Sequence, residues 1–153
     1  RETLFAHFTS SAFIVNPRKN RALMVQHTLR RTWSWPGGHV DGDENFLEVA
    51  VKEAEEETGV RDLIPLSKKI VSLDIFPVMR HIKSEQLISP HLHFSVAYCF
   101  MCDDKQNIHH CPSENIAANW FPFSYITKEH FNEQDLRLYQ KIIHHVLNWT
   151  SDI

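Results

Sequence analysis

Residues 91–102, HLHFSVAYCFMC, are rich in β-branched and aromatic side chains and almost unbroken apolar after Ser95. A strand of that kind has no face to give to water, so the chain must lay a cover on each side of it. Two segments can supply the covers. From Glu133 to Trp149, the apolar positions Leu138, Tyr139, Ile142, Ile143, Val146 and Trp149 follow helical spacing, with Asn132 as the N-cap. In residues 46–58, Leu47, Ala50, Val51, Ala54 and Thr58 fall on one helical face, and Gly59 stops the helix. The other strands are shorter. SAFIVNP (11–17) and RALMVQHT (21–28) flank the polar turn NPRKN and read as a hairpin. KKIVSLDIFPVMRHI (68–82) reads as a strand that Pro77 confines to an edge or an ending, and NWFPF (119–123) as a short strand or turn. WSWPGGHVDGDEN (33–45), with Pro36, Gly37, Gly38 and Gly42 among acids, reads as a loop. Strands interleaved with two helices predict an α/β or α+β sandwich.

At 153 residues, a single domain over 1–153 is expected, and a chain of that length buries about two-thirds of its unfolded surface. A formal net charge of −3 gives no support to a protein that coats nucleic acid or a membrane surface. No apolar run reaches the ~18 residues of a spanning helix. Contact with an anionic ligand must then come from a local site or a bound cation. Cys99, Cys102 and Cys111 are an odd set in a chain without a signal-peptide pattern, which predicts reduced thiols and a cytoplasmic protein. Cys99 and Cys102 form a C-x-x-C, but inside the apolar strand, so they are expected to be buried strand residues and not a redox pair or zinc site. The chain opens at Arg1 rather than Met, as a trimmed chain would.

VKEAEEETG (51–59) packs Glu53, Glu55, Glu56 and Glu57 into the last turns of the first helix. Acids at a helix C-terminus oppose its dipole, each at roughly 0.3–1 kcal/mol. Glu53 and Glu57 add a like-charge i,i+4 pair worth a few tenths more. On a helical wheel Glu53, Glu56 and Glu57 share an arc of about 100° beside the apolar face, while Glu48, Lys52 and Glu55 take the solvent side. Acid-rich helix ends are often just solvated faces. Three carboxylates at i, i+3 and i+4 also converge on one point, where a hard divalent cation such as Mg²⁺ or Mn²⁺ finds oxygen ligands.

The segment upstream decides between the two. Gly38, Glu44, Glu53, Glu56, Glu57 and Gly59 stand in one register closed by Val60, and GHVDGDENFLEVAVKEAEEETGV (38–60) resembles the Nudix box, G-x5-E-x7-R-E-U-x-E-E-x-G-U, where U is a bulky aliphatic residue. Two positions depart from the box. Lys52 stands where Arg is usual, offering a point charge in place of a fork, and Ala54 is small for a U position. DGDEN is also similar to a calcium loop, but Phe46 and Lys52 stand where an EF-hand needs Gly and Glu.

The resemblance implies a Nudix α/β/α sandwich with a mixed β-sheet between helices. It implies that Glu53, Glu56, Glu57 and the Gly38 carbonyl hold Mg²⁺ (or Mn²⁺) against a diphosphate. The expected reaction is hydrolysis of a nucleoside diphosphate linked to another group, with (d)NTPs or oxidised nucleotides among the candidates. Glu53 and Glu56 are the candidate bases within the box, Glu114 is a candidate outside it, and Lys52 is expected to orient Glu56 or Glu48. The alternative is a nucleotide-binding or regulatory module with little turnover, which Lys52 favours. Isopentenyl-diphosphate isomerase shares the fold, but the C-x-x-C lies in the wrong context for its catalytic Cys.

Substrate choice lies outside the box. WSWPGGH (33–39) resembles the opening of Nudix proteins that also carry an H-x-H strand, so His91 and His93 are expected to line the pocket with His39, with core packing as the structural alternative. Three histidines also invite a zinc reading, but no ligand spacing in the sequence supports it strongly. Arg30, Arg31, Arg80 and Lys83 are candidate phosphate contacts, with Arg31 foremost. Trp33, Trp35 and Phe76 are candidates to stack a base, against core packing. A small-molecule nucleotide or nucleoside diphosphate derivative is the expected partner, without membrane or nucleic acid, and the oligomeric state is left open.

Overall fold

The computed structural model describes residues 5–28, 31–83 and 86–149. In chain order the elements are β1 (Ala6–Val15), β2 (Arg21–His27), β3 (Trp33–Ser34), β4 (Gly37–His39), α1 (Phe46–Thr58), β5 (Ile64–Pro65) and β6 (Ser72–Val78). They are followed by β7 (His81–Lys83), β8 (Gln86–Ile88), β9 (His91–Met101), β10 (Asn115–Pro122), a 3-10 turn (Phe123–Tyr125) and α2 (Glu133–Leu147).

β9 is the apolar strand, and it is interior to the main sheet. β1 runs parallel to it from Ala6↔Leu92 to Val15↔Met101. On its other side β6 and β5 pair antiparallel. The order β10-β2-β1-β9-β5 completes a mixed sheet, with β3 on β2 and β4 on β1. The two-residue period of the strands sorts side chains into two cores. Ala12, Ile14, Leu23, Val96, Tyr98 and Phe100 meet Ala50 and Ala54 of α1. Phe13, Val15, Met24 and Cys99 meet Tyr139, Ile142 and Val146 of α2. The architecture is therefore the α/β/α sandwich that a two-sided strand demands.

Local chemistry sets the element ends. Asn16 turns the β1–β2 hairpin: its buried Oδ1 accepts from the Asn20 and Arg21 N–H groups, both at 3.0 Å. Asn45 caps α1 by accepting from Glu48 N–H at 3.3 Å, and Asn132 caps α2 by accepting from Asp135 N–H at 2.9 Å. Gly59 closes α1 in the left-handed conformation, φ +73°, donating its N–H to the Glu55 carbonyl at 2.9 Å.

Several boundaries differ from the sequence reading. β1 begins at Ala6 rather than near Ser11, because β9 and β4 pair with its polar half; buried Ser10 donates its hydroxyl to the Phe46 carbonyl at 2.5 Å. The glycine-rich segment 33–45 holds β3 and β4, strands made by their neighbours rather than by their own side chains. The 68–82 stretch ends its sheet pairing at Val78, with Pro77 on an outer strand, and resumes as β7 against β8 in a separate two-stranded sheet. NWFPF is the end of the longer β10, and α2 stops at Leu147. Cys99 and Cys102 are buried in opposite cores, with burial pushing their thiols up to about 12 and about 11. They are separated by the sheet itself. Among the described residues no helix is long and apolar enough to cross a membrane.

Gly59 gives the first test. A Cβ there would meet the His109 ring, on a backbone that L residues adopt at about 1–2 kcal/mol. Gly59→Ala should lower stability by roughly 1–3 kcal/mol in urea titrations, and a loss below a few tenths would show that the cap is not rigid.

Candidate active site

With Ala50, Ala54 and Val60 fixed in the core, the helical period delivers the acids of α1 to three environments. Glu57 turns inward and is only 4% exposed. Glu53 is half-buried, and Glu56 is in solvent beside Lys52. Glu57 sits in a built cradle: Gly37 N–H donates to its Oε1 at 2.7 Å, and Asn115 Nδ2 donates to its Oε2 at 2.7 Å. Gly37 has no room for a side chain, since a Cβ would collide with Ser10 and Ser11 of β1. At Gly38 a Cβ would collide with the carboxylate of Glu53. The two glycines let β4 lie against the carboxylates of α1.

A third carboxylate arrives from outside the box. Glu114 ends the turn before β10, its carbonyl accepting from the N–H and hydroxyl of Thr28 at 3.0 and 2.7 Å. One oxygen from each of Glu53, Glu57 and Glu114 lies within 4.8 Å of the others, a spacing that could hold a metal ion. Glu56 is outside this group; its Oε1 lies 3.9 Å from Lys52 Nζ, and both side chains are more than half exposed. Burial pushes Glu57 up to about 7, against the opposing effect of its two hydrogen bonds, with Glu114 and Glu53 adding repulsion. Glu53 is raised by burial first, then by Glu114 and Glu56, while Lys52 pulls it down. Three acids crowded where their own charges are disfavoured fit a hard cation that would neutralise them.

The expected substrate groups are distributed unevenly. His39, His91 and His93 do come together, joined by His7 of β1, with ring centroids 4.7–5.1 Å apart. Arg31 is exposed in the turn after β2, at φ +52°. Arg80 is exposed between β6 and β7. Arg30 lies outside the described residues, as does the side chain of Lys83. Trp33 stacks edge-on to Phe121 and Trp35 to Tyr139, so both are used in packing, and Phe76 packs on the α2-side core. Sequence reading missed His7 and Asn115. A histidine four residues before the first recognised strand, and an asparagine 58 residues beyond its carboxylate partner, carry no local signal.

A family model described as the NUDIX domain matches residues 6–142. The chain belongs to the Nudix hydrolase family. Solved structures share the Nudix fold at low identity. The Escherichia coli dihydroneopterin triphosphate pyrophosphohydrolase superposes with a TM-score of 0.66 at 18% identity, over 95% of this chain and 99% of that one. A Caenorhabditis elegans Ap4A hydrolase, in a binary complex, superposes with 0.64 at 14%, over 94% and 99%. A Francisella tularensis bifunctional NMN adenylyltransferase/ADP-ribose pyrophosphatase, complexed with AMP and a Mn ion, gives 0.64 at 14%, over 95% and 43%. Comparison with curated proteins finds no match.

Glu57 makes stability depend on pH. Its folded pKa of about 7 lies above the unfolded 4.5, so its contribution is fully present below pH 4.5 and lost as pH rises through 7. At about 1.4 kcal/mol per pKa unit, keeping Glu57 ionised costs on the order of 3 kcal/mol without metal. In EDTA the melting temperature should fall between pH 5 and 8. Glu57→Gln should fall less and melt above the parent at pH 8, because Asn115 Oδ1 has no hydrogen-bond partner among the described residues and a flipped amide can accept from Gln. Saturating Mg²⁺ should reverse that order, since binding at a hundredfold over the dissociation constant stabilises the parent by about 2.7 kcal/mol. Equal pH slopes for both proteins would mean that Glu57 is not held ionised against its burial.

Proposed function

We propose that residues 1–153 form one catalytic domain that hydrolyses a nucleoside diphosphate linked to another group, with Mg²⁺ or Mn²⁺ as cofactor. The observation that carries this reading is the convergence of Glu53, Glu57 and Glu114 against the glycines of β4, within a family of hydrolases. Glu53 and Glu57 are the ligands that the carboxylate cluster supports, and the Gly38 carbonyl and Glu56 are proposed to complete the set. Bound there, the cation supplies positive charge to phosphate oxygens and lowers the pKa of a water aligned for attack on phosphorus. Gly37 and Asn115 hold Glu57 in place through both of its oxygens. Glu53 is assigned as the proton acceptor because it lies in the carboxylate cluster, with its carboxylate against Gly38. Glu56 and Glu114 are the other candidates for that role. Lys52 orients Glu56 through a long, exposed contact. Arg31 and a floor of His39, His91 and His93 form the substrate side. (d)NTPs or oxidised nucleotides lead the substrate classes.

The long Lys52–Glu56 contact also supports the second reading, a nucleotide-binding module with little turnover, since Lys cannot form the forked pair that Arg would.

A panel of nucleoside triphosphates, oxidised triphosphates, ADP-ribose and dinucleoside polyphosphates, scored for released phosphate or pyrophosphate, separates the two. Turnover with Mg²⁺ or Mn²⁺ that EDTA abolishes is expected, and Glu57→Gln should lose at least ~100-fold. Full activity in metal-free buffer would overturn the role given to the carboxylates, and nucleotide binding without turnover would establish the module. Lys52→Arg should hold turnover level or raise it; a fall beyond tenfold with an unchanged melting curve would show that Lys is required in its own right.

A further inference from the structure

We propose that His7, His39, His91 and His93 form a second metal site, taking a divalent transition ion such as Zn²⁺, on the opposite face of β4 from the carboxylates. The fold separates the two sites by strand alternation. Gly38 faces Glu53 of α1, so the next residue, His39, points to the other face. There it meets His7 of β1 and His91 and His93 of β9, and His7 and His93 are register partners in the parallel pair. Three strands therefore deliver four imidazoles to one place.

The spacing suits nitrogen coordination. One ring nitrogen from each of His7, His39 and His93 lies within 4.8 Å of the others. His91 Nε2 and His93 Nε2 share a hydrogen bond at 3.1 Å, close to the roughly 3.3 Å that two nitrogens span on a tetrahedral Zn²⁺ with bonds of about 2.0–2.1 Å, so a bound ion would displace the shared proton. His91 is already oriented as a ligand would be. Its Nδ1 lies 2.9 Å from the Ser89 carbonyl, an oxygen that can only accept, so Nδ1 carries the proton and Nε2 presents its lone pair to the cluster. All four rings are half-buried, which shields a bound ion while leaving it a way in.

Ligand chemistry sets the choice of ion. Imidazole suits Zn²⁺, Cu²⁺, Ni²⁺ and Fe²⁺, whereas Mg²⁺ takes oxygen and sheds water reluctantly. The two sites would thus sort a hard and a borderline cation across one three-residue strand. The inference does not depend on hydrolysis. On the substrate side proposed above, the floor would then be a charged metal in place of bare imidazoles.

The test uses EDTA-stripped, dialysed protein in millimolar Mg²⁺, which saturates oxygen sites, titrated with Co²⁺ as a visible-absorbing stand-in for Zn²⁺. About one equivalent should bind with the intense d–d bands of tetrahedral nitrogen coordination, unchanged in Glu57→Gln and weakened at least 100-fold in His7→Gln and His93→Gln. Those variants could lose the fold, so X-ray absorption on the Zn²⁺-loaded parent is read independently. Imidazole scattering from three or four nitrogens at about 2.0–2.1 Å supports the site. An oxygen-dominated shell, the absence of tight Co²⁺ binding to the parent, or binding lost in Glu57→Gln and kept in folded histidine variants would overturn it.

Discussion

A carboxylate driven into the core is the constraint around which this structure is arranged. Glu57 touches three elements at once: it belongs to the last turn of α1, accepts from the backbone of β4 at Gly37, and accepts from Asn115 at the start of β10. Each contact demands something of the sequence. Residue 37 must lack a side chain to approach, and Asn115 must be buried with its own Oδ1 unpartnered among the described residues. An orphaned buried acceptor and a carboxylate raised to about 7 both work against folding. Such local costs persist where a binding site needs them, and they point to the same place here.

The sheet does more than cover its apolar strand. Its alternation divides side chains between α1 and α2, and at β4 it divides two kinds of chemistry. Gly38 lies against the acids and His39 goes to the imidazoles, so adjacent residues serve opposite faces of a single layer. Glu114 and Asn115 show the same economy where the chain enters β10: one joins the carboxylate cluster and the other braces Glu57.

What could be read from the sequence follows from where its signals arise. α1, α2, β9 and the β1–β2 hairpin carry their own periodicity and caps, and the structure has them within a few residues of expectation. The box register located Glu53 and Glu57 because helical spacing is local. β3, β4, the polar half of β1 and the first half of β10 were not legible. Their hydrogen bonds come from partners distant in the chain, and Thr9, Ser10 and Ser11 give no apolar alternation to betray a buried strand. Convergence also escapes sequence logic. The wheel groups Glu56 with Glu53 and Glu57, yet the fold puts Glu114 beside those two instead, since only the packing angle of α1 on the sheet decides which carboxylates meet.

The parallel pairing of β1 with β9 has a consequence for how the molecule forms. Ala6 aligns with Leu92 and Val15 with Met101, so this edge of β1 waits for a strand made more than eighty residues later. Closing so long a loop is entropically costly and slow compared with forming a hairpin or a helix. The β1–β2 hairpin and α1 can appear early, but α1 then lacks Val96, Tyr98 and Phe100 of β9, which complete its core, and its acids repel one another with nothing to gather them. Glu114 and Asn115 come later still in the chain. A nascent or clipped chain that stops short of β10 would carry the whole acidic motif and yet have no completed carboxylate cluster, because the residues that finish it arrive with the strands that close the sheet.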